Sequence, residues 1–189
     1  MDQSELTIVN SLLQVIGESP INEIDRSNPD VLAALHVWEQ FSNSEQGHGF
    51  WYNTETWDLP VNSDGIVYLP SNAVAVDTES TNYIKRGRKL YDLENHSFDF
   101  SDEDEVTVDI ITEWEYDELP PIMFNYILAK CRWYMVATYA LDTNLLQVLD
   151  QEVQIAFHKL QVQNLKAKRP SATGSGAAQT LLQNQPQSR

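Results

Sequence analysis

The chain has 189 residues, 42% of them hydrophobic and 10% aromatic, enough to bury one sizeable core and unlike the composition of a disordered chain. Residues 1–155 hold all 28 acids and seven of the 12 bases, a net −21, whereas residues 156–189 hold no acid and five bases, a net +5. A body of that sign repels phosphates, which excludes a nucleic-acid-gripping surface, and the single cysteine, Cys131, excludes an internal disulfide and a thiolate metal site.

Ser4 reads as the cap of a first helix whose apolar residues fall at Leu6, Val9, Leu13 and Ile16, with Gly17 at the stop. A turn-rich loop follows, and Asn28-Pro29-Asp30 then supplies a cap, a first-turn proline and a first-turn acid. The helix that starts there buries Val31, Leu35, Trp38 and Phe41 and fades by Gly47. From Phe50 the apolar period changes from about 3.6 to about 2. GIVYLP, NAVAVDT, NYIKRG, RKLYDLE and EVTVDIITEWEY are short strand-type runs separated by Ser, Asn, Gly and Asp. In the last of them Val106, Val108 and Ile110 mark a buried face, and Thr107, Asp109 and Ile111 a mostly wet one. The acidic run SDEDE at 101–105 reads as a solvated hairpin tip or strand start. It lacks the central glycine and distal glutamate of a calcium loop.

Asp117, Glu118 and the Pro120-Pro121 pair mark the start of a third helix. It is apolar on nearly every side, through Ile122, Phe124, Ile127, Leu128, Cys131, Trp133, Met135 and Val136, which describes a central helix wrapped by other elements or by a neighbouring subunit. Lys130 and Arg132 interrupt this stretch, so it does not read as a membrane span, and the N-terminus lacks the basic and apolar regions of a signal peptide; a soluble protein folding in a reducing cytoplasm is the expectation. After a break at Asp142-Thr143-Asn144 comes a last helix with an apolar stripe at Leu145, Leu149, Val153, Ala156 and Leu160. From Pro170 the chain is rich in Ser, Gly, Ala and Gln, a basic tail with a small apolar plug at Leu181-Leu182. The fold class is therefore α+β. A four-helix bundle-like collar (1–49 and 119–166) carries an inserted antiparallel β-rich module (50–118), and an extended tail (167–189) follows.

Most catalytic signatures are missing. Gly174–Gly176 has no following Gly-Lys-Ser/Thr, the four histidines (His36, His48, His96, His158) lack ligand spacing, no Gly-x-Ser-x-Gly elbow is present, and Cys131 sits in an apolar helix where thiols are inert. The stretch GHGFWYNTETWDL at 47–59 places rings beside acids, as a sugar cleft does, with Glu55 and Asp58 as the pair that would flank a glycosidic bond. β-Alternation puts Trp51, Glu55 and Trp57 on one face and Tyr52 and Asp58 on the other, so the two carboxyls diverge and the rings read as ordinary sheet packing.

The order of elements and five stretches together resemble a known family. They are VNSLLQVIGESPINEID at 9–25, GFWYN at 49–53, IVYLPSNAVAVD at 66–77, RGRKLYDLENHSFDF at 86–100 and VDIITEWEYDELPPIMFNYILAKCRWYM at 108–135. The chain resembles the tail tubular protein A family of short-tailed double-stranded DNA bacteriophages, the adaptor or gatekeeper between portal and nozzle. That resemblance implies a non-enzymatic virion protein at the head-to-tail junction, assembled in the host cytoplasm as a dodecameric ring. It implies contacts with the portal protein above, the nozzle protein (tail tubular protein B) below and tail fibres at the side, with DNA passing through during packaging and ejection, no cofactor, no metal and no membrane in the mature particle. On this view Asp142, Asp150 and Glu152 face the lumen, and Trp51, Tyr52, Trp57 and Trp114 serve subunit or nozzle contacts. Lys166, Lys168, Arg169, Leu181, Leu182 and Arg189 dock into the portal. The rival from another class is a virion-associated glycan hydrolase or sugar-binding module built on Trp51, Glu55, Trp57 and Asp58. A monomeric cytoplasmic interaction protein is a third reading.

Overall fold

The computed structural model describes residues 3–77 and 82–168. Helix α1 (Glu5–Val15) is capped by Ser4, whose Oγ accepts the Thr7 amide at 3.2 Å, and it ends at Gly17, where φ is +88°. Val9 and Leu13 are buried as expected and Ile8 and Leu12 join them, while Leu6 and Ile16 are half-buried; the buried stripe is wider than expected because the second and third helices both cover this face. Helix α2 (Pro29–Gln46) starts as expected, with Asn28 Oδ1 accepting the Asp30 amide at 2.9 Å. Helix α3 (Pro121–Met135) is the hub and packs against α1, α2 and the long helix α4 (Thr143–Lys168). Those three helices cover Met123, Phe124, Ile127, Leu128, Cys131 and Met135, so the apolar girth of α3 is satisfied within the chain and Trp133 is its exposed ring. Between α3 and α4, Val136–Ala140 forms a π-helical turn that Leu141 ends at φ +53°.

The β region contains β1 (Thr54–Pro60), β2 (Ala73–Val76), β3 (Tyr83–Arg86), β4 (Lys89–Asp92) and β5 (Glu105–Thr112). β5 is the centre of an antiparallel sheet of order β1-β5-β2, and β3 pairs with β4 as a separate hairpin. The expected strand GIVYLP forms only the isolated bridges Val61–Val67 and Tyr68–Lys89, although its alternation is real: Val67 and Leu69 are buried and Tyr68 is exposed. These strands share a core of their own, with Leu59, Val67, Leu69, Leu90, Phe100, Val106, Val108 and Ile110. The helices form the other core with Phe50, Tyr52 and Leu119. Ile111, expected on the wet face of β5, is buried, because the chain leaving α2 lies over that end of the sheet.

The acid run 101–105 is a turn leading into β5, as the charge pattern implied. A neighbouring turn is tied by Asp92, whose Oδ1 accepts the amides of Asn95 (3.1 Å) and Glu94 (2.7 Å) and whose Oδ2 accepts Asn95 Nδ2 (2.8 Å). These bonds, the Asn95 amide first, hold the Asp92 carboxyl below its ordinary value. A depressed carboxylate stabilises the fold above the ordinary aspartate range and loses that contribution as pH falls through its lowered value. Asp92→Asn should therefore flatten the acid limb of a melting-temperature profile below about pH 4. Identical acid limbs in the two proteins would contradict the assignment.

Candidate functional site

The contact between the helices and the sheet is built by residues 45–54 and 112–116. At Gly49 the backbone takes φ +73°, and a Cβ there would lie 2.9 Å from Ile111 Cδ1, so both the turn and the close approach require glycine. The chain then makes one tight turn, with the Asn53 and Thr54 amides both on the Phe50 carbonyl at 3.2 Å, before β1 begins.

Two fully buried amides join the layers across this turn. Asn53 Nδ2 donates to the carbonyls of Gln46 (3.0 Å) and Thr112 (2.9 Å), and its Oδ1 accepts the Phe50 amide at 2.8 Å. Gln46 Nε2 donates to Ser42 Oγ (2.9 Å) and the Trp114 carbonyl (3.1 Å), while its Oε1 accepts the Trp114 amide at 3.0 Å and the Tyr52 hydroxyl at 3.4 Å. Burial drives the Tyr52 hydroxyl far up from its ordinary pKa, so it remains a donor. The Tyr52 ring meets the rings of Trp51 (5.4 Å) and Trp114 (5.3 Å) edge-on. The Trp51 amide donates to Asn164 Oδ1 at 3.0 Å, which brings the end of α4 to the same point. This chemistry is that of a rigid joint: the bonds of Gln46, Asn53 and Tyr52 join neutral donors and acceptors, and Thr54 Oγ1 is the one buried side-chain polar atom without a partner among the described residues.

A second buried polar cluster lies inside the helical layer. Glu45 accepts the Tyr126 hydroxyl at 2.8 Å and pairs with Lys130, whose Nζ sits 5.4 Å and 5.7 Å from the ring centroids of Phe41 and Tyr126. Burial and the neighbouring Glu45 carboxylate together push the Tyr126 hydroxyl well up. The Cys131 thiol, buried against the Val37 carbonyl, is likewise pushed up and stays protonated.

Of the four rings expected at a subunit or nozzle contact, Tyr52 lies in the core, Trp51 and Trp114 are half-buried at the joint, and Trp57 is 38% exposed. Trp51 precedes β1, so it does not share a strand face with Glu55 and Trp57 as the alternation implied; the Gly49 turn displaces it. Glu55 and Asp58 are both exposed on β1 and point to opposite faces, with Asp58 accepting the Thr107 hydroxyl at 2.7 Å. Among the lumen acids, Asp142 caps α4 through the Asn144 and Leu145 amides (2.9 and 3.0 Å), Glu152 accepts Arg132 Nη1 at 2.7 and 2.9 Å, and Asp150 is exposed. Lys166 is exposed near the end of α4, which Lys168 closes; Arg169, Leu181, Leu182 and Arg189 lie outside the described residues. Among the described residues no group of three or more His, Cys, Asp or Glu is placed to hold a metal ion, and no helix is long and apolar enough to cross a membrane.

Gln46, Asn53 and Glu45 carry no signal of their own in the sequence, since an isolated amide or acid at a helix end is ordinarily a surface residue. The nearest signal is positional: Asn53 closes the stretch GFWYN that follows α2, where the period changes.

The profile of the tail tubular protein family matches residues 6–170. The chain is also similar to a protein named tail tubular protein A from Klebsiella phage KP34, with 31% identity over 120 residues. That alignment covers 61% of this chain and 62% of the relative, so the chain spans less than two thirds of the relative's length.

Proposed function

Because the chain belongs to the tail tubular protein family, we propose that it is a structural protein of a bacteriophage tail, a ring-forming adaptor that joins the portal to the nozzle and lines the DNA passage. The observation that supports this most directly is the extent of the family match, which runs from α1 past the end of α4 and includes the whole sheet. The charge distribution agrees with the role. A body of net −21 repels a sliding polyanion, whereas each lysine turned toward it would add a phosphate contact and slow it. On this reading a twelvefold ring sits at the head-to-tail junction, with the β region toward the nozzle protein and the fibres. α4 turns Asp150 toward the lumen; Asp142 and Glu152 contribute charge there while capping α4 and holding Arg132.

The tail, residues 167–189, is assigned to the portal together with Lys166, the positive charge of Lys166, Lys168, Arg169 and Arg189 steering it to an acidic groove and Leu181-Leu182 anchoring it. Co-sedimentation with purified portal rings tests the reading. The full chain should travel with the rings, and a chain ending at Lys168 should melt normally yet stay in the supernatant. Failure of the full chain to sediment would refute the adaptor reading, and continued sedimentation of the shortened chain would move the docking site into the folded body.

A further inference from the structure

α4 carries two apolar stripes. One, with Leu149, Val153, Ala156 and Leu160, faces α3. The other starts on the rim of an open cleft of about 610 Å³, where Val148, Ile155 and Lys159 of α4 face Ser11 of α1 and Ile122 and Leu128 of α3, and runs on toward the end of α4. Val148 is 62% exposed, Ile155 57% and Leu165 63%, with Val162 half-buried between them. Ile155, Lys159, Val162 and Lys166 follow one another at i, i+4, i+7 and i+11, so two cations and two apolar side chains share a single helix face. No acid lies beyond Glu152 in the whole chain, so this half of α4 is an acid-free, cationic helix on a strongly acidic body. The cations elsewhere in the helical layer are already matched: Arg26 to Glu5, Lys130 to Glu45 and Arg132 to Glu152. Lys159 and Lys166 have no ion-pair partner among the described residues.

The same chain presents a complement. A cleft of about 620 Å³ between α1, α2 and residues 71–72 and 113–116 is edged by Glu39, Glu113 and Glu115 and by the Arg26–Glu5 pair, and walled by the rings of Trp38, Trp114 and Tyr116. Glu39 and Glu115 are exposed and have no ion-pair partner among the described residues. No residue of α4 lines this cleft, so the helix does not fill it in its own chain.

We infer that the outer face of α4 from Val148 to Lys166 docks against a second copy of this chain, its lysines on the Glu39/Glu115 edge of the neighbour's acidic cleft. A second copy is the occupant that fits, because a chain of net −16 repels its own kind except where a cationic face meets an anionic one, and within the helical layer the end of α4 and this cleft are such a pair; the basic cluster at 85–89 lies apart, on the β3–β4 hairpin. Two different surfaces meeting make a head-to-tail contact, which closes into a ring when the rotation permits. The inference rests on the ring reading above and names its interface. It also takes Lys166 from the portal and gives it to the neighbour.

Charge exchange tests it. Association of the full chain is followed by sedimentation velocity in solution and by subunit loading on portal rings. Lys159→Glu with Lys166→Glu, or Glu39→Lys with Glu115→Lys, should each weaken association by about tenfold or more. Mixing the two variants, or combining all four changes in one chain, should restore most of it. All these positions are exposed, so folding is preserved, and circular dichroism checks it. As a second probe, Ile155→Asp should weaken association without lowering the melting temperature. Association unaffected by the reversals, or lost and not restored by the exchange, overturns the interface. Wild-type chain that stays monomeric both free and on portal rings overturns the ring reading itself.

Discussion

Asn53→Leu should lower the melting temperature by about 10 °C, the largest effect expected of a substitution outside the apolar cores. The side chain is fully buried and makes three hydrogen bonds, all to backbone groups, linking the end of α2 to the end of β5 through the Phe50 turn. Leucine is close in volume but satisfies none of them. The Phe50 amide and the carbonyls of Gln46 and Thr112 then stay dry with fewer partners, and the summed desolvation is about 4 kcal/mol. Asn53→Asp should be comparably harmful, because a carboxylate keeps the Phe50 bond but has no proton for the two carbonyls. Thermal or denaturant unfolding measures both. A loss below about 1 kcal/mol would mean that water replaces the side chain, and the joint would then not be the dry weld described.

Lys130→Met should destabilise the chain by about 3 kcal/mol, mostly through what it leaves behind. Glu45 is buried, and among the described residues the Tyr126 hydroxyl is its one other partner, so removing the ammonium strands a carboxylate inside the helical layer. The lysine also loses its place beside the rings of Phe41 and Tyr126, a smaller term. Glu45→Gln with Lys130→Met should cost clearly less than the two single changes added together, since no unpaired charge remains. A double-mutant cycle measured by urea unfolding decides this. Additive costs would show that Lys130 acts through packing of its aliphatic stem rather than through the pair.

How the two polar clusters arise explains why they were hard to read in advance. Glu45 and Gln46 sit in the last turn of α2, where polar residues face solvent in most helices. They are buried here because α3 crosses one side of that turn and the Trp114 segment the other. Asn53 stands in a run of aromatic and polar residues whose alternation suggested a strand already under way. The strand starts one residue later, and the turn before it holds Asn53 inward and displaces Trp51 from the face of Glu55 and Trp57. The same local cause hid the fate of Ile111, which alternation placed on the wet face and the Gly49 crossing buried.

The sequence by itself determined the caps and lengths of α1 and α2, the change from helical to strand period after Gly49, the inward face of β5 at Val106, Val108 and Ile110, and the charge division at Glu152. It also carried the resemblance to the family whose profile matches residues 6–170. These are properties of one segment at a time, set by side-chain period, by the φ that proline and glycine allow, and by counting charges. The tertiary structure alone decided that α3 is covered by three helices of its own chain, that two amides and the Glu45 carboxylate are buried, and that Tyr52 is buried while Trp57 is not. It also decided that α4 keeps an apolar and cationic face uncovered. Burial depends on what another segment brings to the same place, and periodicity within one segment holds no record of that.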